Sequence, residues 1–327
     1  SCSFFNREKV ENLLNYAIIH YLQSLLPDSR VPLSEQEPHM NDHLQICPFP
    51  ENKPAMLSFT FDDGTLDHLE TAAPELEKRG WRGTFYINPQ SNNRPPEKLL
   101  DWNGIRELYR RGHEIGNHTM SHCHPSKWET TKRYDLLAWE IAESQRQFSE
   151  HLGMRPKSYT APFGARCEFI SSLLAANNLL ETPRRISIVT ETTPADFAEI
   201  KRQALQPGTF TVLVNHGVVP GYGGWAPVSK EFFVDMLNEW KAVEDQIHIG
   251  PFAESESYRR RAQNTILTEI AENAFLLRLK PEASFLYGPV YLRKTNPDMQ
   301  IFVNLLPVLP DKDGVFRVYP GSVIELK

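Results

Sequence analysis

Several familiar signatures are missing from this sequence, and each absence removes a class of function. The four cysteines, Cys2, Cys47, Cys123 and Cys167, contain no CxxC pair, so neither a zinc ribbon nor a thioredoxin-type redox centre is indicated. No basic run exceeds Arg259 to Arg261, and 35 Lys+Arg against 41 Asp+Glu leave a net charge of -6, which argues against a nucleic-acid partner. No apolar stretch approaches the roughly 18 residues of a membrane span. The most hydrophobic run, 301–309, is interrupted by Asn304 and Pro307. No charged-then-apolar leader follows Ser1, which reads as a cytosolic protein or a mature chain whose signal has been removed. Internal repeats and low-complexity tracts are also lacking. What remains is 327 residues, 40% hydrophobic and 11% aromatic, enough for a sizeable core and, at about 150 residues per domain, for a large domain with a smaller companion.

Apolar residues at Val10, Leu13, Leu14, Ala17, Ile18, Tyr21, Leu22 and Leu25 have the spacing of an amphipathic helix, with Asn6 as cap and Pro27 as stop. The polar, proline-bearing stretch 28–54 then reads as connector. From Ala55 to Phe252 short apolar runs (MLSFTF, GTFYIN, HEIGNH, KSYTAPF, ISIVT, TFTVLVNH, QIHIG) alternate with helical patterns such as 102–111, closed by Gly112, and 134–152, closed by Gly153. Such alternation predicts a parallel α/β domain, open or barrel, with its chemistry at the carboxyl ends of the strands. After Pro251 a charged helical segment, 254–273, leads into four β-like runs separated by turn residues, read as a small antiparallel β unit. The expected organisation is therefore 1–54, helix and connector; 55–252, main domain; 253–327, helix plus β-rich domain.

Four pieces carry the chemistry. MLSFTFDDGT runs an apolar strand into Asp62, Asp63 and Gly64; alone it is equally a tight turn. GHEIGNHTMSH sets His118 and His122 four apart, a spacing that puts both imidazoles on one face if helical, although the preceding segment reads as a strand entering a loop and so places the pair at a strand end. The zincin HExxH pattern fails because Thr119 stands where its glutamate belongs. Two histidines and a carboxylate also describe the facial triad of non-haem iron oxygenases, which ligand type alone leaves open. SYTAPFGAR ends a strand in Pro162, Phe163 and Gly164, and TFTVLVNHG delivers His216 to a strand end.

The ordered set TFDDG, HTMSH, APFG and LVNH resembles the polysaccharide deacetylases, carbohydrate esterase family 4, over residues 55–252. The resemblance implies a distorted (β/α) barrel that removes acetyl groups from sugars with a divalent metal, most simply zinc. It implies Asp63, His118 and His122 as metal ligands, Asp62 as general base and His216 as general acid. These types suit the roles. A three-ligand site leaves a coordination position open, where a metal lowers the pKa of bound water from 15.7 towards about 7. An amine leaving group needs a proton, and His is the side chain titrating nearest neutrality. The backbone after Pro162, near Phe163, is a candidate oxyanion donor, and Trp225 in the glycine-rich GYGGWAP segment is a candidate for stacking on a sugar face.

Two departures from that pattern stand out. The family usually carries arginine two positions before the proline of its third motif to orient the catalytic carboxylate; Thr160 occupies that position, and Arg166, Arg184 or Arg185 would have to reach in instead. The family's Asp and Trp pair that tunes the catalytic histidine has no clear counterpart, with Asp196 the candidate in that stretch. His113 reads as structural, and His124 and Cys123 are not counted as ligands. The expected function is metal-dependent hydrolysis of N-acetyl, or alternatively O-acetyl, groups on an oligo- or polysaccharide by an exported or cell-surface protein. The rivals are an amidohydrolase of the same fold acting on a small cyclic amide, and a carbohydrate-binding protein that has lost turnover.

Overall fold

The computed structural model describes residues 43–90 and 95–327; the helix expected over 10–25 lies outside them. Among the described residues no helix is long and apolar enough to cross a membrane. The chain divides into two compact units, one of them Lys53–Ser257, the other formed by residues up to Asn52 together with Tyr258–Lys327.

After a short strand β1 (Leu44–Ile46), which belongs to the second unit, the first unit supplies β2 (Ala55–Asp62), β3 (Thr84–Ile87), β4 (Glu114–Asn117), β5 (Ser158–Tyr159), β6 (Leu180–Glu181), β7 (Ile186–Ser187), β8 (Phe210–Asn215) and β9 (Ile247–Ile249). The order across the sheet is β6-β5-β4-β3-β2-β8-β7, every pair is parallel, and β9 also pairs with the first residues of β2. This is the mixed α/β architecture expected. The sequence pattern missed β6, a two-residue strand too short to show a period.

The sheet is curled, and the chain length requires it. Strands β6 and β7 are its two edges, yet only Thr182, Pro183, Arg184 and Arg185 separate them in sequence. Seven flat strands about 4.8 Å apart would set the edges roughly 29 Å apart. Five residue steps reach at most about 18 Å. The sheet therefore bends until this four-residue link closes the gap between its edges, as a half-barrel.

Strand β2 is buried along its whole length because both faces are covered, the normal state of a parallel strand. Its alternation decides which groups enter the curl. Ala55, Leu57, Phe59 and Phe61 join the apolar core, where Phe61 stacks on Phe85 at 4.8 Å and where Phe233 and Trp240, from the helix Lys230–Lys241, are fully buried. The intervening Ser58 and Thr60 donate to the carbonyls of Gly250 and Leu213, and Asp62 continues that polar face. Helices Trp102–Arg110 and Tyr134–Leu152 end as expected, at Gly112 and Gly153 with φ of 87° and 68°.

The second unit contains a three-stranded sheet, β1-β12-β15, and a five-stranded one, β10-β11-β16-β13-β14, all antiparallel, around a core that includes Tyr258, Leu277, Leu292, Phe316 and Ile324. Their strands are β10 (Thr265–Ala271), β11 (Ala274–Leu279), β12 (Val290–Lys294), β13 (Ile301–Val303), β14 (Leu306–Val308), β15 (Val315–Val318) and β16 (Val323–Leu326). Two readings differ here. Leu44–Ile46, within the stretch read as connector, pairs with β12. The helical segment expected over 254–273 is helix only for Phe252–Gln263; Thr265, Ile266, Thr268 and Ile270 then favour a strand.

Candidate active site

Consecutive strand residues project to opposite faces, so Asp62 and Asp63 would normally diverge. They do not, because the chain turns at once: Asp63 has φ 78° and Gly64 φ 69°. Both carboxylates line one cavity of about 1320 Å³. Gly64 cannot be replaced without strain, since its φ of 69° lies in the left-handed region, and a Cβ there would also meet the end of the Ile87 side chain at 2.8 Å.

His118 follows the last residue of β4. The segment carrying it and His122 is a loop, not a helix, with Thr119 at φ 67° and His122 at φ 59°. The two imidazoles converge by these backbone reversals instead of by helical spacing, with ring centroids 5.1 Å apart. The loop is held from within. Asn117 Oδ1 accepts from the Thr119 N–H at 2.9 Å, and Asn88 donates to the His118 carbonyl. Glu140, almost fully buried on the helix Tyr134–Leu152, accepts from the N–H groups of Met120 (2.7 Å) and Ser121 (2.8 Å) and from the Ser121 hydroxyl. No motif pointed to Glu140; only the hydrogen bonds reveal it.

Asp63, His118 and His122 each present a ligand atom, and these atoms lie within 4.8 Å of one another. His122 Nε2 is 3.2 Å and His118 Nε2 3.6 Å from Asp63 Oδ1. The donor set fits a divalent cation. His118 Nδ1 lies 2.8 Å from the Thr160 carbonyl, which requires a proton on that nitrogen and leaves Nε2, buried and without a hydrogen-bond partner among the described residues, as the atom turned to a cation. Thr160, the residue in the expected arginine's place, thus contributes through its backbone.

The missing cation comes from the link between the sheet edges. Arg185 donates through both terminal nitrogens to the two oxygens of Asp62, each at 2.7 Å, and lies 5.8 Å from the centre of the Tyr86 ring. Arg166 and Arg184 line the cavity but make no ion pair with Asp62. Burial alone would raise the Asp62 carboxyl; the charges of Arg185, His118 and His216 outweigh it and hold the group below its ordinary range.

His216 follows β8 with Nε2 3.8 Å from Asp62 Oδ2 and its ring edge-on to Trp225 at 5.0 Å. Burial lowers its pKa against the opposing pull of Asp62 and Asp63. Its Nδ1 is buried with no hydrogen-bond partner among the described residues. Asp196 is not that partner: it is exposed and forms a capping box with Thr193 at the start of the helix Pro194–Ala204. The loop beyond His216 is fastened by its backbone, with Asp67 accepting from the N–H groups of Val218 (2.7 Å) and Val219 (3.0 Å) and His68 Nε2 3.2 Å from the His216 carbonyl.

Of the residues expected to meet substrate, Phe163 and Trp225 line the cavity and are 64% and 57% exposed. Phe163 packs edge-on against His122 at 4.6 Å. Pro162 is buried and does not line the cavity. His124 stacks on Phe163, and Cys123 is buried in a separate apolar cluster. His113 is structural, with Nδ1 accepting from the Gly83 N–H and Nε2 2.8 Å from Glu77, itself paired with Arg111.

Residues 50–179 match the family model described as polysaccharide deacetylase. A chitin deacetylase of Arthroderma benhamiae is 29% identical over 126 residues, 36% of this chain and 30% of its own length. A peptidoglycan-N-acetylglucosamine deacetylase of Bacillus cereus is 28% identical over 116 residues, 35% of this chain and 38% of that protein. The chain thus spans well under half the length of these relatives. Among solved structures, a family 4 carbohydrate esterase from Streptomyces lividans in complex with acetate aligns with 61% of this chain and 93% of its own, at 17% identity and a TM-score of 0.44.

Proposed function

We propose, on the premise that this chain belongs to the polysaccharide deacetylase family through residues 50–179, that it hydrolyses acetyl groups from an acetylated glycan, with N-acetyl amino sugars the main substrates. The observation that carries this reading is the meeting of the Asp63, His118 and His122 ligand atoms, within 4.8 Å of one another, beside a buried Asp62 gripped at both oxygens by Arg185.

Asp63, His118 and His122 would hold the cation, which we assign as zinc because hydrolysis calls for a Lewis acid and no change of oxidation state. When bound, it supplies positive charge that acidifies water and polarises the acyl carbonyl. Asp62, kept ionised by Arg185, takes a proton from the attacking water at Oδ2. The water oxygen forms a bond to the acyl carbon, the carbon–nitrogen bond breaks, and His216 gives a proton from Nε2 to the departing nitrogen, so that acetate and a free amine result. Phe163 and Trp225 flank the entrance with apolar faces on which a sugar ring stacks. A polymeric substrate of this kind places the protein outside the cytoplasm, in the periplasm, at the cell surface or secreted.

The test is release of acetate from N-acetylated chitin oligomers, peptidoglycan fragments and O-acetylated xylan, before and after chelation and after zinc is restored. Zinc-dependent acetate release supports the reading. Glycan binding without acetate from any of the three overturns it in favour of a binding protein, and turnover confined to a small cyclic amide overturns it in favour of an amidohydrolase.

A further inference from the structure

The cavity is larger than one acetylated sugar needs. At about 1320 Å³ it exceeds the 300–1,000 Å³ common for small-ligand pockets, which gives room for a second ring beside the one being processed. Its charged lining falls into two groups. Asp62 and Arg185 neutralise each other, and Asp63, His122 and His216 belong to the reaction centre. That leaves Arg166, Arg184 and Glu181.

These three sit on one stretch of wall. Arg166 donates to the carbonyl of Thr182, which fixes its guanidinium against the four-residue link that carries Arg184 two positions on. Glu181 adjoins the same link, and one of its oxygens already accepts from the Ser171 hydroxyl at 2.9 Å. Arg184 is exposed and makes no hydrogen bond or ion pair among the described residues. Two planar guanidinium groups against one partly engaged carboxylate make this wall cationic, with donors in the fork geometry that matches a carboxylate.

We propose that this wall, through Arg184 and Arg166, binds a carboxylate carried by the glycan next to the acetylated sugar, so that the protein selects acidic over neutral acetylated glycans. This deepens the deacetylase reading and rests on it for the word acetylated; recognition of the acid itself does not depend on turnover.

The experiment is equilibrium binding by calorimetry of two probes of equal length, a tetrasaccharide with a glucuronate residue and its neutral glucose counterpart, to the full chain and to Arg184→Ala. Acetate release from a neutral N-acetylated oligomer is measured alongside. We expect the carboxylated probe to bind about 10-fold more tightly, the advantage to disappear in Arg184→Ala and shrink at high salt, and the neutral probe to be unaffected. Arg166→Lys, which keeps the charge but loses the fork, should lose part of the advantage. Equal affinity for the two probes, or an equal loss for both in Arg184→Ala, overturns the proposal. Selective acid binding without acetate release would sink the catalytic reading and leave this one standing; acetate release without selectivity would do the reverse.

Discussion

The β4 and β8 ends of the candidate site treat their histidines differently. At the β4 end the His118 imidazole and the loop backbone are tied down: His118 Nδ1 meets the Thr160 carbonyl, Asn88 and Asn117 hold the backbone, and Glu140 receives two successive N–H groups of the loop leading to His122. At the β8 end hydrogen bonds fasten only the backbone, through Asp67 and His68, while the His216 imidazole, packed on Trp225, has one nitrogen near Asp62 and the other without a hydrogen-bond partner among the described residues. The contrast matches the proposed roles. Cation ligands must share a fixed orientation, because a misdirected lone pair costs affinity directly. A group that gains and loses a proton is better served by an environment that does not fix its charge state.

The contrast breaks most severely if the fixed end is not a cation site. Asp63→Ala and His118→Ala should each lose bound zinc by elemental analysis and reduce acetate release to background; full metal occupancy in both would refute the assignment. Next in size, Asp62→Asn and His216→Ala should keep the metal and lose roughly 10²- to 10⁴-fold in kcat, since each removes a proton-transfer partner. Arg185→Met would leave the Asp62 carboxylate buried without its cation, which costs about 3–5 kcal/mol. The Asp62 pKa should rise, so the acid limb of the pH–rate profile should move to higher pH in this variant; an unmoved limb would mean that Arg185 does not control Asp62.

Glu140→Gln sharpens the comparison without touching a ligand. Its carboxylate loses its charge but the side chain keeps its size, so the loop should loosen and zinc affinity fall about 10- to 100-fold in chelator competition, with kcat at saturating zinc near the native value. The smallest effect serves as a control away from the site. Burial lowers the His113 pKa to about 4, against the pull of Glu77. The unfolded chain takes up this proton below about pH 6.5 and the folded one does not, so the stability tied to neutral His113 is complete above pH 7 and is lost as pH falls towards 4. In urea titrations the stability gap between the native chain and His113→Gln should narrow by about 1–2 kcal/mol from pH 7 to pH 5.

Much of this was legible in the sequence, for reasons that can be named. An unbroken apolar run ending in Asp-Asp-Gly is what a doubly covered parallel strand looks like, and Gly112 and Gly153 end their helices because only the left-handed turn closes them. The His118–His122 spacing marks the pair in the sequence, but helical geometry does not apply to it; backbone reversals at Thr119 and His122 bring the rings together. Arg185 is one of three arginines that the sequence leaves open, and only the curl of the sheet distinguishes it from Arg166 and Arg184. Glu140 and Asp67 give no local signal, because what they hold is backbone far along the chain. Asp196 attracts notice by type and position, yet its carboxylate is occupied at a helix start. Strand β10 follows a charged helix so closely that a single helical label covers both unless its β-branched residues are weighed.

The seam position of Arg185 also bears on how sequences that resemble this one are read. A survey that checks each position separately would see only the uncharged Thr160 and pass over the guanidinium that Asp62 meets. The positive charge reaches Asp62 from the stretch that joins β6 to β7, a place no single column points to. Where one position shows no cation, whatever bridges the gap between the outermost strands is the next place to look.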